Sequence, residues 1–217
     1  MRATDQLMND CSETWEAATN HAFCKELAEG TLPIEKMKWY LAQDYKFIDR
    51  FVRLLATAIT HAPTLADSIP AAQFLAVITG PENTYFLRSF EALNMTQEEQ
   101  NAPAAKSTLA FQNLMREAQV SGRYEQMLAV LVVAEWSYLT WANRYVAYSP
   151  DLPFWFSEWI DLHCGDGFEG VVEYLRSQLD QVWDGLTDQQ KADATQMFAR
   201  AVKCERDFFD ASFNSQD

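Results

Sequence analysis

The segment YEQMLAVLVVAEWSYLTWANRYVAY, about residues 123–147, is apolar on nearly every side when wound as a helix. A helix of that kind has no face to give to water and must be enclosed by other elements. The rest of the chain supplies them. Apolar residues recur at helical spacing over about 10–28, 34–61, 65–78, 82–93, 105–119, 165–184 and 187–213, and FWFSEWIDLH adds a short amphipathic piece. Pro33 and Glu35 open the 34–61 helix, and His61-Ala62-Pro63 closes it. Gly80-Pro81, Ser121-Gly122 and Gly185 mark further breaks, and the polar run 97–103 reads as a connector. Seven Gly and seven Pro in 217 residues are too few for tight-turn β architecture. With no repeat or linker, the predicted fold is all-α: one domain over 1–217, built as a multi-helix bundle.

Charge narrows the function classes. The net charge of −14, from 31 acidic and 17 basic residues, opposes binding to a phosphate backbone or an anionic lipid surface. No apolar run reaches the ~18 residues of a membrane span. The first residues show no signal-peptide pattern, so a cytoplasmic protein without nucleic-acid or membrane partners is expected. Cys11, Cys24, Cys164 and Cys204 are scattered without a CxxC pair and read as reduced thiols. No metal site or cofactor is expected from this pattern.

Within YLAQDYKFIDRF, residues 40–51, Asp44 interrupts an apolar stripe: its neighbours at i±3 and i±4 are Tyr40, Leu41, Phe47 and Ile48. The same test applied to the other acids finds two equivalents. Glu135 has Leu131, Val132, Tyr138 and Leu139 around it, and Glu205 has Ala201, Val202, Phe208 and Phe209. Glu158 comes nearest to a fourth, with Phe154, Trp155 and Leu162, but also Asp161. A buried carboxylate without a partner is costly, so such acids must be paired, hydrogen-bonded or protonated. Three converging in one interior would raise one another's pKa, which suits general acid–base work or the binding of a flat polar ligand. A paired core acid, a helix–helix seam or an oligomer interface would also account for any one of them.

Residues 21–51, HAFCKELAEGTLPIEKMKWYLAQDYKFIDRF, resemble the N-terminal signature of the TenA family, the thiaminase II group. AEWSYLTWA (134–142), HCGDGFEGVVEYLRSQLD (163–180) and AVKCERDFFDASF (201–213) come next in the order and spacing of that family. The resemblance implies an all-α fold of the haem-oxygenase type and a buried pocket for an aminopyrimidine. The implied activity is hydrolysis of an amino- or formylamino-pyrimidine to hydroxymethylpyrimidine in thiamin salvage, by a homo-oligomer, dimer or tetramer. It places Asp44 on the pyrimidine's amino group and ring nitrogen, Glu205 as a catalytic glutamate, and Tyr138, Phe47, Phe111 and His163 about the ring. The family's better-known branch has a cysteine where this chain has Ala134. The chain therefore resembles the cysteine-lacking branch, in which a glutamate pair, here Glu135 and Glu205, replaces the thiol.

Two other readings fit a chain of this pattern. One is a pyrimidine-binding protein without turnover. The other is a haem- or metal-dependent oxidase on the same fold, for which His21 is the haem candidate, although no Glu-x-x-His pair occurs.

Overall fold

The segment without a polar face is largely enclosed in the computed structural model, which describes residues 1–214. The chain runs through α1 (Ala3–Asp10), α2 (Ser12–Thr19), α3 (Ala22–Glu29), α4 (Ile34–His61) and α5 (Leu65–Val77), then a π turn (Ile78–Glu82). It continues through α6 (Asn83–Ala92), α7 (Gln97–Gln100), α8 (Lys106–Val120), α9 (Tyr124–Asn143), α10 (Phe154–Asp161), α11 (Gly165–Trp183) and α12 (Asp188–Asn214). No strand occurs among the described residues. The all-α expectation holds, and the apolar side chains gather into one connected core.

α9 is the axis. Fourteen of its 20 residues are buried, and α2, α4, α8, α11 and α12 pack around it. The long helices α4 and α12 are amphipathic instead. Each turns one stripe inward, with Tyr40, Leu41, Phe51 and Leu54 on α4 and Phe198, Ala201, Val202 and Phe209 on α12. Asp44 and Glu205 lie in these buried stripes, and Glu135 lies on the buried α9. The three acids with apolar neighbours are therefore all interior, as their spacing requires.

Several boundaries depart from expectation. The single helix expected at 10–28 is two, preceded by a third. α2 ends at Asn20, where His21 takes up extended backbone and caps α3 by accepting the Phe23 N–H on Nδ1 at 3.0 Å. Its Nε2 lies 3.2 Å from Asp210. The connector at 97–103 holds the short α7, started by a reciprocal capping box between Thr96 and Glu99. The largest departure is at Gly80-Pro81. Proline cannot continue an α-helical ladder, yet the chain does not stop there; it widens into the π turn and enters α6 without leaving helical backbone.

Gly30 closes α3 in the left-handed region at φ 71°, and a Cβ added there would lie 3.0 Å from Leu152 Cδ1. Gly170, inside α11, has open space about it. Gly30→Ala is expected to lower stability by about 1–2 kcal/mol and Gly170→Ala to raise it by about 0.5–1 kcal/mol. Urea denaturation of the two variants checks this; equal effects would remove the conformational argument.

Candidate functional site

A narrow cavity opens where α4, the π turn, α9 and the end of α10 meet. The long α4 lends it Asp44, Phe47, Ile48 and Phe51, and α5 adds Phe74. Ile78 and Glu82 come from the π turn, Ala134, Glu135 and Tyr138 from α9. Trp159 and His163 close the far end. The centre of a water molecule can range over about 20 Å³ within it, room for ordered water but tight for a ring. Ile48 and Ile78 also line a wider surface depression with Tyr45 and Asn83, so these two side chains partition the cavity from the surface.

Three carboxyl groups face this space, from Asp44, Glu82 and Glu135, and no lysine or arginine does. Burial pushes the Asp44 carboxyl up to about 8, with the Tyr40 hydroxyl one turn earlier working against that shift. Burial, then the neighbouring Asp44, pushes Glu82 up to about 8 as well. Glu135 is held well above the usual carboxylate range by burial, then by Glu82 and Asp44. Glu205 is not on the cavity wall. It is 1% exposed on α12, within electrostatic reach of Asp44 and Glu135, and its Oε1 finds no hydrogen-bond partner among the described residues. Burial raises its pKa well above normal too. Glu158, the near exception, is a half-buried surface acid paired with Arg88.

A hydrogen-bonded aromatic frame holds the far end. Trp159 Nε1 donates to the Tyr40 hydroxyl at 3.0 Å, and that hydroxyl lies 2.8 Å from the Tyr138 hydroxyl. The His163 ring packs 4.8 Å from Tyr138 and 4.4 Å from Trp159, centroid to centroid. His163 Nδ1 is 2.8 Å from the Trp159 carbonyl, which can only accept, so Nδ1 carries the proton and Nε2 offers a lone pair. Burial pushes the imidazole down to about 4, against the pull of that carbonyl, so the ring is neutral near pH 7. Phe111 stands behind the wall, edge-on to Phe47 at 4.9 Å.

The structure thus brings Asp44, Phe47, Glu135, Tyr138 and His163 to one cavity, sets Phe111 behind Phe47, and leaves Glu205 closed off beside it. Glu82 is invisible to helical periodicity because Gly80-Pro81 reads as a break, which leaves it no preceding turn. Tyr85 and Phe86 at i+3 and i+4, both fully buried, are the available signal. Ala134 lies on the wall, but none of Cys11, Cys24, Cys164 and Cys204 does. Cys24 is buried, and burial followed by Glu205 raises its pKa well above normal, the opposite of an activated thiolate.

The TENA/THI-4/PQQC family description matches residues 9–215. The chain belongs to this family. Two curated TenA-family relatives carry the name aminopyrimidine aminohydrolase. The one from Halalkalibacterium halodurans is 27% identical over 93% of this chain and 91% of its own length. The one from Bacillus subtilis is 22% identical over 100% and 92%. A solved TenA-family structure from Silicibacter, described as a transcription regulator, superposes with a TM-score of 0.87 at 24% identity, covering 98% of this chain and 96% of that one. A TenA homologue from Pyrococcus furiosus does so at 0.87 and 19%, covering 97% and 100%. The TenA-type, haem-oxygenase-like helical fold expected from the sequence is therefore the fold of this chain.

The raised carboxyl pKa values set the pH dependence of stability. Asp44 and Glu82 keep their protons in the folded chain up to about 8, whereas in the unfolded chain they ionise near 4. The unfolded state binds fewer protons between those limits, so stability falls as pH rises through them. His163 acts oppositely, losing stability as pH falls from about 6.5 towards 4. The carboxyl effect is cleanest between about pH 6.5 and 8. Tm is expected to fall across that window, and Glu82→Gln to flatten the slope. A Tm that is level or rises there would contradict the protonated cavity.

Proposed function

We propose that this chain is an aminopyrimidine aminohydrolase of thiamin salvage. It hydrolyses amino- or formylamino-pyrimidines, releasing ammonia or formate towards hydroxymethylpyrimidine, with carboxyl groups in place of a thiol. The observation that carries this reading is a narrow, aromatic-walled cavity facing three carboxyls, with Ala134 on its wall and no cysteine there. The names of the curated relatives point to the same substrate class. A net charge of −14 opposes DNA phosphate, which disfavours a regulator role of the kind the Silicibacter structure's description states.

The chemistry of the wall suits a pyrimidine edge. A protonated Asp44 carboxyl has one donor and one acceptor side by side, which match a ring nitrogen and its adjacent amino group. Phe47 and Tyr138 flank the ring, and Phe111 braces Phe47. His163 Nε2 accepts a remaining N–H or O–H. Hydrolysis needs one group to take a proton from water and another to give one to the departing nitrogen. Glu135 on the wall and Glu205 behind it are the groups that the family resemblance offers for these roles, and burial, then the acids around them, keeps at least one protonated near pH 7. Exposed Leu65, Leu87, Val120 and Val146 supply apolar surface for a homo-oligomer, dimer or tetramer, working in the cytoplasm.

The test is an end-point assay for ammonia, formate and hydroxymethylpyrimidine, given amino-pyrimidine, formylamino-pyrimidine and thiamin side by side. Turnover of one or both of the first two, with thiamin left intact, is expected. Thiamin cleaved at a comparable rate would overturn the thiol-free substrate preference, and no turnover of any would overturn the hydrolase. Asp44→Ala is expected to lose about 2–4 kcal/mol of transition-state stabilisation, or about 10²–10³ in kcat/KM, with Tm unchanged or higher. A parallel fall of Tm would make Asp44 a structural residue.

A further inference from the structure

Of the acids in this interior, Glu82 has no role assigned above, and its surroundings leave it no structural one. It is 7% exposed, it forms no hydrogen bond or ion pair with any described residue, and its side chain does not cap α6. A buried carboxyl that neither pairs nor caps weakens the fold. What it does have is a place on the cavity wall with Asp44 and Glu135. The backbone brings it there. Successive side chains of an α-helix leave the axis about 100° apart. The wider π turn over Ile78–Glu82 departs from that spacing and so sets the direction in which Glu82 leaves the chain. Ile78, at the start of that turn, lines the same cavity.

We propose that Glu82 is a catalytic residue of this site, the carboxylate that takes the proton from the attacking water while Glu135 protonates the leaving nitrogen. The proposal rests on the hydrolase reading and moves the base role from Glu205 to Glu82: Glu135 has a partner facing the same space, which Glu205 behind the wall does not provide. The charge nearest in effect to Glu135 is that of Glu82, so the minor ionised form of Glu82 present near neutral pH, which grows as pH approaches 8, holds the proton on Glu135.

The step balances. The water oxygen bonds to the exocyclic methylene carbon as the carbon–nitrogen bond breaks and its electron pair goes to nitrogen. The water proton passes to Glu82, and the Glu135 proton goes to the departing nitrogen. Hydroxymethylpyrimidine and ammonia result. Glu82 is left protonated and Glu135 ionised, and one proton passing between them restores the starting state.

The experiment compares wild type, Glu82→Gln and Glu82→Ala on amino-pyrimidine, with helical circular dichroism and hydroxymethylpyrimidine affinity measured on each. Glu82→Gln is expected to lower kcat by about 100-fold or more while the product Kd moves less than about 3-fold. Added formate, a small carboxylate able to enter the vacated space, is expected to restore part of the activity of Glu82→Ala and none to Glu135→Ala, where the missing group is an acid. A Glu82→Gln enzyme within about 5-fold of wild-type kcat would overturn the assignment and leave the hydrolase standing. Failure of both Glu82 variants to fold would make the residue structural and overturn it equally. A wild-type protein that releases no ammonia would sink the hydrolase reading, and this assignment with it.

Discussion

Three carboxyl groups face one narrow space, a fourth lies beside it, and no cation reaches the wall. Most other acids of this chain are solved locally: Glu16 with Arg144, Glu117 with Arg200, and Glu173 and Asp180 with Arg2. The arginines are therefore engaged at the periphery. In the interior, the only way to lower the cost of burial is to keep protons on the carboxyls, and their pKa values are raised accordingly. Protonated acids at neutral pH are both donors and acceptors. They can read an amide-like ring edge and can pass a proton, which ionised acids in water do poorly.

The fold supplies what such a cluster needs. Five helices pack around α9, so Ala134, Glu135 and Tyr138, which project from its buried side, are held away from bulk water. Trp159, Tyr40 and Tyr138 satisfy one another's polar atoms. The frame at the far end is thus fixed largely by its own groups, with the Tyr40 hydroxyl also bonded to Asp44. His163 is fixed the same way, its proton spent on a backbone carbonyl and its lone pair left free for a ligand. Pinning one ring nitrogen decides what the other can do.

The legible part of the site is the part that periodicity can express. Asp44, Glu135 and Glu205 stand out because a regular α-helix makes i±3 and i±4 neighbours share a face, and all three sit in regular helix. Glu82 does not, because that rule assumes a constant turn, and the π turn at Gly80-Pro81 changes it. Burial was legible, but the space a buried group faces was not. Glu205 shows the same stripe pattern as Asp44, yet it lies closed off, and Phe111, placed about the ring by the family resemblance, stands behind Phe47. The early breaks at Cys11 and Asn20 carry no glycine or proline, and His21 as a cap lies outside the usual capping residues.

The position beside Glu135 shows how the site's chemistry is constrained from more than one side. A thiol at 134 would point into a buried space lined by Asp44, Glu82 and Glu135 and by no lysine or arginine, where a thiolate would be an uncompensated anion. Cys24 illustrates the outcome: buried near Glu205, its pKa is driven up and its nucleophilicity suppressed. Alanine at 134 and a third carboxyl at 82 are therefore mutually consistent. Each extra acid on the wall makes covalent thiolate chemistry harder and proton transfer between carboxyls easier. In the same way, Pro81 removes a helical donor at the π turn, and the widened backbone that results places Glu82 on the wall.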